Sequence, residues 1–491
     1  MKFKRDEKST EERELIILRN TTEKLRKAEG IAMLKDPRVK EIINIVESFI
    51  TEKDLVGYGG TAINALLPKK DQFYDSRSEF PDYDFFSPNA LADAKKLADI
   101  YFKAGYTNVV AKAGVHQGTF KVLVNYIPVA DITHMVPELF KSIKKSSVVV
   151  KNMRYCSPDY LRMLMYLELS RPKGDISRWE KVLDRISLLN KNFPLRGRHC
   201  GTVEIQRSFG PEPKHKTTDK ETIFYTTRSS LTTEGVVFFG ASALQLYLRK
   251  LTKFKHDKFK NIPDFDVLST DPKGTAEVVK KNLIGEGIEN VNIRKMPGIG
   301  GIIYMHYEIT VGKDTIAMVY KTLACHSYNE IKMNGWKIKI ASIPTMLSLY
   351  LAFMHVDRPY YDSNRILCMS EFLFKIQQNN RTNRKGILRR FTEKCYGEQE
   401  TINKMREKKA ELFEKYKKDR SGREWENNFL RYLPDSNSEN VELDENDRGN
   451  VYRKKGTREK KGTREKKGTR EKKGTRKKKG TRKKKSKTKK S

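Results

Sequence analysis

Residues 56–67 read VGYGGTAINALL, and residues 81–89 read PDYDFFSPN. The first stretch is a short apolar run, a glycine pair and a helix-forming segment. It places Gly59, Gly60 and Thr61 at a strand-to-helix turn, where bare backbone and the free N–H groups of a helix start can approach a phosphate. The second stretch is a strand. Its Asp82 and Asp84 stand at i and i+2, and alternate residues of a strand share one face. Working outward, residues 7–50 read as charged amphipathic helices, with apolar clusters at Leu15 to Leu18 and at Ile42 to Val46. Downstream, LADAKKLADIYFKAGY is a helix that closes near Gly105. TFKVLVNY and PVADITH are strands, the latter carrying Asp131. The order βαβαββ predicts an α+β architecture, a small mixed sheet with helices packed on it. A helical lobe is expected to follow through DYLRMLMYLELS and SRWEKVLDRISLLNK. On the second of these helices Arg178, Lys181 and Arg185 share one face, opposite an apolar stripe that includes Trp179 and Ile186.

The pattern then repeats. VGYGGTAINALL recurs as VFFGASALQLYL (237–248), and PDYDFFSPN as PDFDVLSTD (263–271). VNYIPVAD (124–131) is matched to MVYKTLAC (318–325), and CSPDYLRMLMYLELSRP to ASIPTMLSLYLAFMHVDRP. Self-similarity in fixed order implies two tandem copies of one module. The expected division is N-terminal helices over 1–50, a first module with its helical lobe over 51–200, a second module over 201–432, and an acidic linker with a basic tail over 433–491.

That tail is five copies of a KKGTRE-type hexapeptide with almost nothing apolar to bury, so it is expected to be disordered. Residues 452–491 hold 23 Lys or Arg against three Glu, which leaves +17 of the total +37 on the rest of the chain. An excess that survives removal of the tail points to a polyanionic partner such as nucleic acid. At 491 residues and 37% hydrophobic content, more than one core is expected. The five cysteines, Cys156, Cys200, Cys325, Cys368 and Cys395, are scattered without ligand-like spacing and read as reduced thiols of a cytosol-like compartment. The start lacks an apolar signal core, and the apolar stretch Ile340 to Val356 is broken by Pro344, so no membrane association is expected.

Transfer of a phosphoryl group to a hydroxyl calls for two divalent cations about 4 Å apart, held by hard oxygen ligands. Asp82, Asp84 and Asp131 are the candidate catalytic and metal-holding carboxylates. Gly59, Gly60, Thr61, Arg178 and Lys181 are the candidate nucleotide-phosphate contacts. The series GGT, DxD, D on a βαβαββ pattern resembles the DNA polymerase β-like nucleotidyltransferase superfamily. Within it, the duplicated module and the stretches GYGGTAIN, PDYDFF and SRWEKVLDR resemble the poly(A) polymerase catalytic subunits of large nucleocytoplasmic DNA viruses, over roughly residues 30–430. The resemblance implies two tandem nucleotidyltransferase-like modules that add adenylate from ATP to RNA 3′ ends with Mg²⁺ or Mn²⁺. It also implies a homodimer and a viral origin, acting in the host cytoplasm (viral factory) or the virion. In the second copy Asp264 and Asp266 keep the DxD, Phe239-Gly240 stands for Gly-Gly, and Cys325 falls where the third acid belongs. That copy is therefore expected to be inactive.

The same acids would serve uridylyl transfer, CCA addition or cyclic-dinucleotide synthesis, and a degenerate transferase fold would serve as an RNA-binding scaffold. Tyr155, Tyr160 and Tyr166 stand at spacings suited either to core packing or to stacking on a base. His116, His134 and His326 show no ligand spacing.

Overall fold

A computed structural model describes residues 10–75, 77–201, 217–249, 264–333, 335–358 and 360–434. The basic hexapeptide tail and most of the acidic linker, expected to be disordered, lie outside the described residues.

Helices α1 (Thr10–Lys35) and α2 (Pro37–Glu52) lead into strand β1 (Val56–Tyr58) and helix α3 (Gly59–Leu66). Strand β2 (Tyr83–Ser87) and helix α4 (Ala90–Lys103) follow, then β3 (Val109–Ala113), β4 (Thr119–Val124) and β5 (Ile127–His134). The expected βαβαββ order therefore gains one strand, β3, a short run between Gly105 and Gly114 that is too brief to stand out by alternation. Helix α5 (Pro137–Ser146), strands β6 (Val148–Val150) and β7 (Met153–Tyr155), and helices α6 (Pro158–Leu169) and α7 (Trp179–Asn192) complete the first half. Tyr155, Tyr160 and Tyr166 are all buried in the core, so none of the three is placed to stack on a base.

The second half runs α8 (Thr217–Thr233), β8 (Val237–Phe239), α9 (Gly240–Leu248), β9 (Phe265–Ser269), α10 (Pro272–Gly285), β10 (Val291–Met296), β11 (His306–Val311) and β12 (Asp314–Lys321). It continues through β13 (His326–Met333), β14 (Trp336–Ala341), α11 (Ile343–Phe353), α12 (Ser363–Asn379) and β15 (Cys395–Tyr396), and ends with α13 (Ile402–Tyr416), α14 (Arg423–Phe429) and β16 (Arg431–Tyr432).

The two halves build the same mixed sheet twice. One reads β16-β3-β4-β5-β2-β1-β7-β6, the other β10-β11-β12-β9-β8-β14-β13-β15. The likeness extends to details. Each glycine that opens the helix after the first strand has positive φ, 75° at Gly59 and 73° at Gly240. Each outer hairpin carries a bulge at the same place, between Val122 and Leu123 and between Ile309 and Thr310. The serines Ser157 and Ser342 cap α6 and α11, and these two helices pack against each other.

Strand register corrects two sequence matches. Asp84 pairs with Asp131, and Asp266 pairs with Met318. The hairpin closures Val124↔Ile127 and Val311↔Asp314 fix the same alignment, so the counterpart of Asp131 is Met318 and not Cys325. The second half has no helix in the place of α5, and β13 begins soon after β12. That shortening slid the sequence match seven residues too far. Likewise Gly240-Ala241, not Phe239-Gly240, stands for Gly59-Gly60.

The cysteines are the third correction. Cys200 is joined to Cys368 and Cys325 to Cys395, which leaves Cys156 as the buried free thiol. Partners 168 and 70 residues apart meet because β15 pairs with β13 and because the segment after α7 lies against α12. Among the described residues no helix is long and apolar enough to cross a membrane.

Candidate active site

A cleft of about 960 Å³ opens over the first sheet, and all eight residues singled out from the sequence line it: Gly59, Gly60, Thr61, Asp82, Asp84, Asp131, Arg178 and Lys181. The acids come from neighbouring parallel strands. Asp84 on β2 sits directly beside Asp131 on β5, so both side chains share the cleft face, and Asp82 stands just before β2 at the exposed rim.

The glycine pair has separate reasons at its two positions. Gly59 takes φ 75°, and a Cβ there would collide with the Asp84 carboxylate. At Gly60 a Cβ would come within 2.6 Å of the Tyr74 hydroxyl and 2.9 Å of Arg185 Nη1. Thr61 Oγ1 donates to the Asp82 carbonyl at 2.6 Å, tying the helix start to the first acid. Asn64 Oδ1 accepts from the Phe73 and Tyr74 amides and thereby shapes the loop after α3. Tyr74 in turn accepts from Arg185 Nη2 at 2.5 Å, and the guanidinium lies 4.7 Å from the Phe73 ring centre. The basic face of α7 is thus docked on this loop. Arg178 pairs with Glu168 at 3.2 Å.

Electrostatics follow from the crowding of acids. Burial, then the charges of Asp82 and Asp131, push the Asp84 carboxyl up to about 7. Asp82 is raised in the same direction by desolvation against the cleft wall and by Asp131. Lys181 is lowered, first by desolvation and then by its neighbours Arg185 and Arg178. Such a set of mutually destabilised carboxylates favours a counter-cation.

Lys121 escaped the sequence reading. It lies across from Asp131 on β4 and forms an ion pair with it. The bulge at Val122/Leu123 inserts Val129 and so brings Lys121 opposite Asp131 rather than Ala130. As placed, the acids do not converge on one point: among the described residues no three His, Cys, Asp or Glu side chains are grouped closely enough to hold an ion. The donor set still fits hard divalent cations, since three carboxylates share one face and the third already holds a cationic partner.

The far wall was also not legible. Gln399, Glu400, Thr401, Ile402, Asn403 and Met405 line the same cleft from the end of the second half.

The second sheet presents a different picture at the matching place. Asp264 and Asp266 line a space of about 30 Å³ with Tyr350, Phe353, Tyr360, Tyr361 and Arg365. Tyr361 stacks on Phe353 at 4.4 Å, and Tyr320 packs on the same ring. Aromatic rings occupy what is open cleft in the first half.

Comparison with known proteins bears on the same region. Residues 44–175 match the family model described as poly(A) polymerase catalytic subunit. A candidate poly(A) polymerase catalytic subunit of African swine fever virus (strain Badajoz 1971 Vero-adapted) is 34% identical over 174 residues, 34% of this chain and 36% of that protein. One of Acanthamoeba polyphaga mimivirus is 32% identical over 165 residues, 32% of this chain and 27% of that protein. The chain thus spans about a third of the length of the curated relatives it matches. The crystal structure of the Megavirus polyadenylate synthase superposes with a TM-score of 0.72 at 19% identity, covering 88% of each chain. That likeness shows the fold, and the sequence match falls on the strands, glycine turn and acids described above. Over residues 44–175 the chain carries the domain of the poly(A) polymerase catalytic subunit family, set within a fold shared with the Megavirus polyadenylate synthase.

Proposed function

We propose that this chain is a template-independent polynucleotide adenylyltransferase that adds AMP from ATP to RNA 3′ ends. The observation that carries the reading is the convergence, on one cleft, of a strand-paired acid set, a glycine-opened helix start and a basic helix face. Asp82, Asp84 and Asp131 would hold Mg²⁺ or Mn²⁺, which when bound activates the attacking hydroxyl and steadies the departing pyrophosphate. The remaining work belongs to the chain itself. Gly59 and Gly60 let phosphate oxygens approach the backbone at the start of α3. Arg178 and Lys181 supply positive charge for the triphosphate, with Arg185 held behind them by Tyr74. Lys121 keeps Asp131 oriented across the hairpin.

The relatives come from large DNA viruses. On that basis a viral origin, action in the host cytoplasm or virion, and a homodimer are part of the proposal. The second module is proposed to be a non-catalytic support, since Met318 stands where the third acid would be and aromatic rings fill its site.

The test is extension of a short labelled RNA with each of the four nucleoside triphosphates, with and without a divalent cation. Adenylate runs that depend on the cation support the reading. Uridylate runs or a CCA end would move the chain to another 3′-terminal nucleotidyltransferase. No addition with any nucleotide would leave an RNA-binding scaffold.

A further inference from the structure

Residues 397–409 form a strap over the cleft. At one end β15 is hydrogen-bonded to β13 and Cys395 is joined to Cys325, so the strap starts from the second sheet. At the other, Lys409 on α13 donates to the Gly114 carbonyl at 2.9 Å, beside the hairpin of the first sheet. Gly397 turns the chain with φ 99°, close against Ala324 and Thr322. Thr401 caps α13 by accepting from the Lys404 amide. Both ends being fixed, the strap holds Gln399, Ile402 and Met405 against the cleft opposite α6, which contributes Leu161, Leu164 and Met165.

Gln399 has an unfilled hydrogen-bonding position. Its Nε2 donates to the Glu400 carbonyl at 3.3 Å, and its Oε1 is shielded from solvent with no hydrogen-bond partner among the described residues. A buried acceptor without a donor costs about 1–3 kcal/mol. The Nε2 contact fixes which end of the amide is which, so the vacant end accepts. An apolar wall with one orienting polar group suits a planar heterocycle.

We infer that Gln399 is a specificity-determining residue that accepts a hydrogen bond from the exocyclic amine of the incoming nucleobase. The 6-amino group of adenine fits. The 6-oxo group of guanine and the 4-oxo group of uracil place an acceptor against an acceptor. Cytosine also carries an exocyclic amine, so ring size and the apolar wall must separate it from adenine. The inference rests on the proposed adenylyl transfer and deepens it.

The experiment compares ATP with purine riboside 5′-triphosphate, which lacks only the 6-amino group, and with GTP, in primer extension by the full chain and by Gln399→Leu and Gln399→Glu. The wild-type chain should favour ATP over purine riboside triphosphate by about tenfold or more in kcat/KM. Gln399→Leu should bring that ratio within about twofold of unity and narrow the preference over GTP. Gln399→Glu, which keeps an acceptor, should retain the ordering. Because each ratio is taken within one protein, partial loss of folded material cancels, and thermal melting of each variant identifies a fold defect. A wild-type ratio near unity, or an unchanged ratio in Gln399→Leu, overturns the inference while leaving adenylyl transfer intact. Failure of the wild-type chain to add any nucleotide would instead overturn the proposed function.

Discussion

The first and second sheets share strand order, hairpin bulge and helix-opening glycine, yet they differ at three matched positions. Asp131 is matched by Met318, Lys121 by Glu308, and Gly60 by Ala241. Each difference follows from what fills the space above the sheet. In the first half that space is open, an acid there keeps a lysine partner, and a bare glycine leaves room for Tyr74 and Arg185. In the second half aromatic rings close the space, Met318 is buried, and Glu308 is turned to Arg294 and Thr315. Open polar clefts and packed cores impose opposite demands on the same backbone. Carboxylates crowded together cost stability and are retained where an ion is to be held, whereas burial against rings favours a thioether.

The sharpest way to break this contrast is to remove acids from each sheet in turn. Asp84→Ala or Asp131→Ala should lower nucleotide addition roughly a thousandfold. The double change Asp264→Ala with Asp266→Ala should leave the rate within about threefold of wild type, measured on protein shown to be folded. Equal losses from both sets would make the second sheet catalytic. A smaller effect is expected at the glycine turn. Gly60→Ala should cost about tenfold in kcat/KM for ATP, because the new Cβ meets Tyr74 and Arg185, while Ala241→Gly should not change the kinetics measurably.

Stability should move the other way from activity. The Asp84 carboxyl is raised to about 7 in the fold, so between its unfolded value near 4 and about 7 the native state holds a proton that the unfolded chain has lost. Its contribution is present below about pH 4 and is lost as pH rises through 7. In cation-free buffer, Asp84→Asn should therefore melt a few degrees higher than wild type at pH 8, and the gap should close toward pH 4. A variant that melts lower at pH 8 would show that the carboxylate is not under electrostatic strain.

The smallest effect is expected outside both sheets. Deleting residues 452–491 should leave addition of a single adenylate unchanged but weaken RNA binding and flatten its dependence on salt, since 23 basic residues go with it. Equal affinities and parallel salt slopes would remove the tether role and leave the tail as a localisation signal.

How much of this was legible depended on the reach of the interaction. Gly59, Gly60, Asp82 and Asp84 could be read because strand alternation and a strand-to-helix turn are local. Asp131 could be read because a parallel strand follows at short range. Lys121 could not, since only the bulge sets it opposite Asp131. The counterpart of Asp131 was misplaced at Cys325 because a missing helix shifts sequence spacing while strand register stays fixed. Disulfide partners and Gln399 depend on segments that meet only after the second sheet has formed, and no local pattern encodes such a meeting.

The short strand β16 bears on how the protein is made. It caps β3, with Arg431 opposite Lys112 and the Ala113 amide donating to the Leu430 carbonyl at 2.9 Å. Without it β3 would be a bare sheet edge, a template for pairing with other chains. The motifs of the catalytic sheet are all synthesised by residue 155, yet its last strand emerges nearly 280 residues later. At ~5–20 residues per second, this sheet waits tens of seconds on the ribosome with an open flank. Folding of the catalytic half thus ends only after translation of the supporting half, and a chain cut between the two would carry the chemistry but keep the exposed edge.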